Sequence, residues 1–365
     1  MIQLMSMLTL PGLIDPHVHL RDPGQTEKED FFTGTAAALA GGFTTVLDMP
    51  NNKVPVTTAE RLEEKIKSAR EKVVCDVGFY FGSMGENLAE FAKISSKVMG
   101  LKLYLNHTTG DFLINHKPTL LRTFVEFTDK KPILFHAENE TFDTVLDILR
   151  EHPRPIHLCH LSTSYELKRV IEAKKKGLPV TCGVTPHHLF LTKEDETSLG
   201  TLGMMKPPLQ SLRDLDFLWK HLDVIDVIES DHAPHLLSEK QSDTPFFGVP
   251  GLETTLPLLL TAVNDKLFNR AQGKLTIDDI IRLCHTNPAR IFHIQVDPET
   301  KTEVDLDEEW TVENKNLLTK CKWSPFDGWK MRGRVKKVFL RGKKVFEDGN
   351  LLAKPGSGKI VTSQT

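Results

Sequence analysis

The chain predicts an α/β protein, a (β/α)8 TIM-like barrel with a small β subdomain formed by both chain ends, and three observations lead there. Short β-branched or apolar runs recur eight times along the 365 residues, with amphipathic stretches of helical period between them. Several histidines, one lysine and one aspartate sit at or near the ends of those runs, where a barrel assembles its active site. Near residue 309 the alternation stops and strands with turns take over.

The eight runs, in order, are LPGLIDPHVHL, FTTVLDMP, VVCDVGFYFG, GLKLYLN, KPILFHAE, RPIHLCHLS, LPVTCGVTP and VIDVIESDHAP. Strand alternating with helix implies parallel βαβ units, and eight such units close on themselves. Helix starts are read at Thr26 followed by Glu29 and at Thr57 followed by Glu60, both capping-box spacings. The barrel is thereby placed at residues 12–308. Residues 1–11 and 309–365 are expected to form the composite β subdomain, with Asp348-Gly349 as a hairpin turn and the tail PGSGKIVTSQT loose.

Lys plus Arg number 46 against 49 Asp plus Glu, a formal charge of −3, and no long block carries one sign. Neither nucleic acid nor a membrane surface is an expected partner. Five cysteines are scattered without a CxxC pair, which predicts free thiols in a reducing, cytoplasmic setting. The start MIQLMSMLTL lacks the basic flank and cleavage site of a secretory signal, and no run approaches the ~18 apolar residues of a membrane span.

His17-Val18-His19 has the period of a strand, so both imidazoles leave one face and can converge on one metal ion. Taken alone, the pair fits equally well with two histidines bonded to loops. His136 at the end of run five, His160 at the end of run six and Asp231 after run eight add ligands at equivalent depth. In Leu101-Lys102-Leu103-Tyr104-Leu105 the alternation turns the leucines toward the helices and Lys102 with Tyr104 into the barrel. An inward lysine needs a salt bridge, for example to Asp231, or a chemical use, since burying a lone ammonium costs several kcal/mol. One such use is carbamylation, which supplies two carboxylate-like oxygens. The plain alternative for Asp231 is an N-cap.

Together the segments DPHVHLRDPG, MPNN, GLKLYLN, FHAE, CHLS, PHHL, SDHAPH, GVPGLET and WSPFDGWKMRGRVKKVFLRG resemble the dihydroorotase family across nearly the whole chain. The likeness is greatest to the form fused into the multienzyme that starts animal pyrimidine synthesis. This resemblance implies reversible cyclisation of N-carbamoyl-L-aspartate to L-dihydroorotate. It also implies two Zn2+: His17, His19 and Asp231 would hold one, His136 and His160 the other, and carbamylated Lys102 would bridge them. Asp231 would move the proton between water and the ring nitrogen. Arg21, Asn51 and His235 match the carboxylate-gripping positions, backbone at Pro250 and Gly251 would read the pyrimidine edge, and Thr108 would donate from a lid over His107 to Phe112. His187 and His188 are read as supporting the ligands from behind or as structural, rather than as ligands themselves. A homodimer or larger assembly, or a place in a multienzyme, is the expected setting.

Departures bear on these roles. The animal multienzyme form carries Glu after the Cys of VTC, where it helps hold an extra zinc beside a strand-six Cys. Here Gly183 follows Cys182, so two zinc ions rather than three are expected even with Cys159 present. Lys206 stands where relatives have Asn or Arg, and Thr109 replaces an aromatic residue. The rival enzymatic reading is a hydantoinase or allantoinase, which Arg21 and Asn51 argue against. The non-enzymatic rival is a scaffold copy of the fold, against which all six ligand positions stand.

Overall fold

The structure, a computed structural model, describes residues 7–108, 112–264 and 275–363. Runs without a polar face became strands covered on both sides: Leu13–Val18 and Phe43–Asp48 are buried at every position. Six further parallel strands follow, Asp76–Phe79, Leu101–Tyr104, Ile133–His136, Ile156–Leu158, Val180–Val184 and Val227–Ile228. Each lies within one of the runs read from the sequence.

The first three strands pair in sequence order, and the remaining five form a second ladder extended by Phe81–Gly82. Tyr80 interrupts the third strand, and its hydroxyl donates to the Pro16 carbonyl at 2.9 Å across the barrel interior. A parallel bridge from Val18 to His232, with the His19 N–H on the His232 carbonyl at 2.8 Å, closes the barrel. Inside, Ile14, Leu47, Met49, Tyr80, Met99, Leu134, Cys159, Phe292 and Ile294 fill an apolar floor. Leu101 and Leu103 belong to the separate core under the helices, whereas Lys102, between them, is fully buried.

Two helix starts differ from the sequence expectation. Asp30, not Thr26, caps the helix Phe31–Ala40 through Thr33, and Thr58, not Thr57, caps Ala59–Lys72 by accepting from the Arg61 N–H. Cap-forming residues crowd both junctions, and spacing alone cannot choose among them.

The second sheet is antiparallel in the order Met7–Pro11, Lys301–Thr311, Lys330–Leu340, Lys343–Glu347, Asn350–Leu351. Both chain ends build it, as expected. Its second strand begins at Lys301, upstream of the expected boundary at Glu309, because residues 301–305 pair with Met7–Pro11. Asp348 and Gly349 take φ of +45° and +83°, the two left-handed residues of a tight hairpin turn. Among the described residues no helix is long and apolar enough to cross a membrane.

The tail, expected to be loose, is fastened. Ile360 bridges Val77, the Val77 N–H bonds the Lys359 carbonyl at 2.8 Å, and Val361 packs on the barrel floor. Composition missed this because the tail's anchoring is backbone pairing. A Cβ on Gly358 would lie 2.0 Å from the Cys75 carbonyl oxygen. Gly358→Ala should therefore lift the tail and lower stability in urea unfolding by about 1–3 kcal/mol, as overpacking does, without changing bound metal.

Candidate active site

At the carboxyl ends of the strands the polar side chains converge. His17 stands one residue before the end of its strand, and its Nε2 lies 3.2 Å from Asp231 Oδ1. His19 Nδ1 donates to Asn51 Oδ1 at 2.7 Å, which leaves its Nε2 facing the same Asp231 oxygen at 2.9 Å. His136 Nε2 donates to Glu138 Oε1 at 3.1 Å, and its Nδ1 stands 3.0 Å from His160 Nε2. The Glu138 N–H in turn bonds Asn106 Oδ1 at 2.8 Å. His160 and Asp231 adopt φ of +38° and +46°, conformations that cost strain in a non-glycine residue and cluster at functional sites.

Burial favours the neutral form in three of these imidazoles. It pushes His19 down to about 3 and lowers His136 and His160 as well. Burial alone would raise Asp231, but His17, with His19 next, holds its carboxyl well below the usual carboxylate range. With its one proton on Nδ1, His19 turns a bare Nε2 to the ionised Asp231 oxygen. Ligand atoms of His17, His160 and Asp231 all lie within 4.8 Å of one another, and His160 Nδ1 has no hydrogen-bond partner. Neutral imidazoles and a carboxylate at such spacing are the donor set of a divalent transition-metal site.

Lys102 is fully buried, with Nζ 3.1 Å from Cys159 Sγ and 4.9 Å from the centre of the Tyr104 ring. Among the described residues it has no ion pair, so the salt bridge to Asp231 is not what brings it inside. His188 is a structural residue, bonded to Thr185 and to the Pro207 carbonyl, and burial lowers it to about 4. His187 is buried beside it with its Nε2 unpartnered.

One cavity joins the histidine cluster to Arg21, Asn51, Tyr104, Thr108 and Lys206. Arg21 lies beyond its strand, which ends at Val18, and its own backbone turns with a φ of +62°. Its Nε donates to the Pro234 carbonyl and its Nη2 to His235 Nε2, each at 3.1 Å. His235 does not line the cavity but stands behind Arg21, and Pro250 and Gly251 line an adjoining pocket with His232. Lys206 lies over the Phe247 ring at 5.1 Å. Of the expected lid, Thr109, Gly110 and Asp111 lie outside the described residues.

Sequence reasoning missed Glu138 and Glu229. Each follows a strand by a residue or two, at the depth where the ligands were sought. The carboxylate thought absent beside Cys159 is supplied from another strand: a Cβ at Gly183 would lie 2.5 Å from Glu229 Cδ, so Glu229 occupies that space. Ligand atoms of His17, Cys159 and Glu229 lie within 4.8 Å of one another, so Gly183 is no argument against a cation there.

The Amidohydrolase family description matches residues 8–297. The multifunctional protein CAD of Squalus acanthias is 44% identical over 97% of this chain, which spans only 16% of that protein's length. The dihydroorotase of Pyrococcus furiosus is 36% identical over 96% of this chain and 84% of its own length. Among solved structures, the L-hydantoinase of Arthrobacter aurescens superposes with a TM-score of 0.91 at 26% identity, covering 97% of this chain and 89% of its own. The inactive dihydroorotase-like domain of a Chaetomium thermophilum CAD-like multifunctional protein gives 0.82 at 26% identity, covering 98% and 99%.

The loop that carries Asn51 is set by a buried ion pair. Lys65 Nζ lies 2.7 Å from Asp48 Oδ2 and donates to the Met49 carbonyl and Asn52 Oδ1, each at 2.8 Å. Asp48 Oδ1 accepts the Leu20 N–H at 2.8 Å, next to His19. Lys65→Met should leave a buried carboxylate unpaired and cost about 3–5 kcal/mol in chemical denaturation.

Proposed function

The chain belongs to the amidohydrolase family and within it groups with the dihydroorotases, and from that premise we propose that it interconverts N-carbamoyl-L-aspartate and L-dihydroorotate in pyrimidine synthesis. One observation carries the reading: Arg21, Asn51 and Lys206 share a single cavity with the histidine and aspartate cluster. A cyclic amide bearing a carboxylate suits that arrangement, with the ring amide on the cluster and the anion on the cationic arm.

The donor set fits two Zn2+. His17, His19 and Asp231 would hold one and His136 with His160 the other. Lys102 would bridge them as a carbamate, formed when its neutral amine adds to carbon dioxide and loses a proton. Two such ions would make water nucleophilic at neutral pH and polarise the amide carbonyl. Asp231, held ionised, accepts the proton of the attacking water and returns it to the departing ring nitrogen; ring closure runs the same transfer backwards. Arg21 grips the substrate carboxylate, backed by His235, while Lys206 and Asn51 complete the contact. Thr108 donates from the rim, and backbone at Pro250 and Gly251 reads the ring edge from the adjoining pocket. A cytoplasmic setting and assembly into a homodimer or a multienzyme are inferred from the same relatives.

A hydantoinase reading draws on the 0.91 superposition. It leaves Arg21 without an anion to bind. The reading is tested by following ring opening of dihydroorotate beside hydantoin and allantoin, with dihydroorotate expected to be preferred. Arg21→Met should lower kcat/KM for dihydroorotate at least about tenfold, the ~1.5–3 kcal/mol of a charge-assisted contact, with zinc content unchanged. Equal loss on carboxylate-free rings would favour the hydantoinase. Lys102→Ala should abolish turnover and reduce the zinc retained after dialysis; full metal and activity would reject the bridge.

A further inference from the structure

Glu229 has no part in the roles above, yet its carboxylate is fully buried where the site's strands meet. One oxygen accepts the His160 backbone N–H. The other lies 3.4 Å from His157 Nε2 and 3.6 Å from His17 Nδ1. The Glu229 N–H bonds the Val184 carbonyl at 3.0 Å, which locks the residue to strand seven. It thus touches three other strands at once: one, six and seven.

The contact with His160 matters because of the backbone it holds. A φ of +38° puts a bulky imidazole where L side chains rarely go, and such a conformation persists only when its surroundings over-determine it. In that conformation the His160 ring lies 4.6 Å from the His136 ring and 5.2 Å from the His17 ring, centre to centre. The acceptor on the His160 N–H is the Glu229 side chain rather than a neighbouring strand. Space for that side chain exists because residue 183 has no Cβ: one built there would come within 2.5 to 2.9 Å of the carboxylate atoms.

We propose that Glu229 is a positioning residue that clamps the His160 backbone and faces His17, fixing both imidazoles for metal binding, and that Gly183 is glycine to admit it. The proposal rests on the reading of His17 and His160 as metal ligands. It separates two functions of a carboxylate. Glu229→Ala removes the acceptor, whereas Glu229→Gln keeps a carbonyl oxygen for the His160 N–H and removes only the charge.

The test measures zinc affinity by chelator competition, with kcat and KM for dihydroorotate beside it. Glu229→Ala should weaken zinc binding by about 10- to 100-fold, as loss of an outer-shell partner does, and lower kcat more than it raises KM. Glu229→Gln should stay close to the parent. Gly183→Ala should mimic Glu229→Ala, and the double variant should be no weaker than either single one, because both changes act through one carboxylate. Equal damage from Gln and Ala would overturn the proposal, since the charge itself would then be needed, as for a ligand of a further cation beside Cys159. Unaltered zinc affinity in Glu229→Ala with only a lower Tm would overturn it as well. If Glu229→Ala fails to fold, the Gln and Gly183→Ala variants decide between the same outcomes. Zinc affinity is read without turnover, so a chain that behaves as expected here but leaves dihydroorotate intact loses only its substrate reading.

Discussion

The seam between strand one and the end of strand eight is the contact on which the site depends. His19 and Asp231 are 212 residues apart, and they meet only because Val18 pairs with His232 and the His19 N–H reaches the His232 carbonyl. Side chains thicken the seam below that level. Both carboxylate oxygens of Asp15 lie 3.2 Å from the Ser230 N–H, and His232 links Glu29 at 3.2 Å to the Gly251 N–H at 3.1 Å. Glu29 also accepts the Lys320 N–H, so the connection between the strands Lys301–Thr311 and Lys330–Leu340 of the second sheet braces the same seam.

A steep division of polarity follows from closure. The barrel floor is apolar, and immediately above it lie four buried imidazoles, Asp231, Glu229 and Lys102. Desolvating so many polar groups costs far more than their mutual contacts return, unless protons or cations complete the pattern. Glu229 and Asp48 are matched by backbone N–H groups and side-chain partners. Asp231 and the His19 Nε2 turned toward it have no proton between them, and that deficit, with the unpartnered His160 Nδ1, points to metal at this end of the barrel.

The barrel and the clustering of His17, His19, His136, His160 and Asp231 were legible because strand periodicity places them: a two-residue repeat puts His17 and His19 toward one side and Lys102 inside. What depended on distant backbone was not legible. Arg21 reaches the cavity through a left-handed turn, which no alternation rule foresees. Glu229 fills a gap left by Gly183 on the neighbouring strand, and a sequence shows a missing side chain without showing what enters its place. The docked tail was hidden because main-chain pairing leaves little mark on composition. The caps at Asp30 and Thr58 were displaced by one to four residues because adjacent residues compete for the same role.

The four imidazoles are held unequally, and the inequality runs across the two expected metal pairs. His19 and His136 each spend their second nitrogen on a side-chain oxygen, Asn51 at 2.7 Å and Glu138 at 3.1 Å, so their tautomers and ring planes are set before any cation arrives. His17 Nδ1 and His160 Nδ1 have no such bond. One preset imidazole and one less constrained imidazole therefore fall in each expected pair. For the less constrained members, orientation must come from the backbone, and there the structure supplies Asp15 on the His17 N–H at 3.1 Å and Glu229 on the His160 N–H. Main-chain anchoring of two imidazoles and side-chain anchoring of the other two hold the cluster without requiring a hydrogen-bond acceptor for every ring nitrogen in a crowded interior.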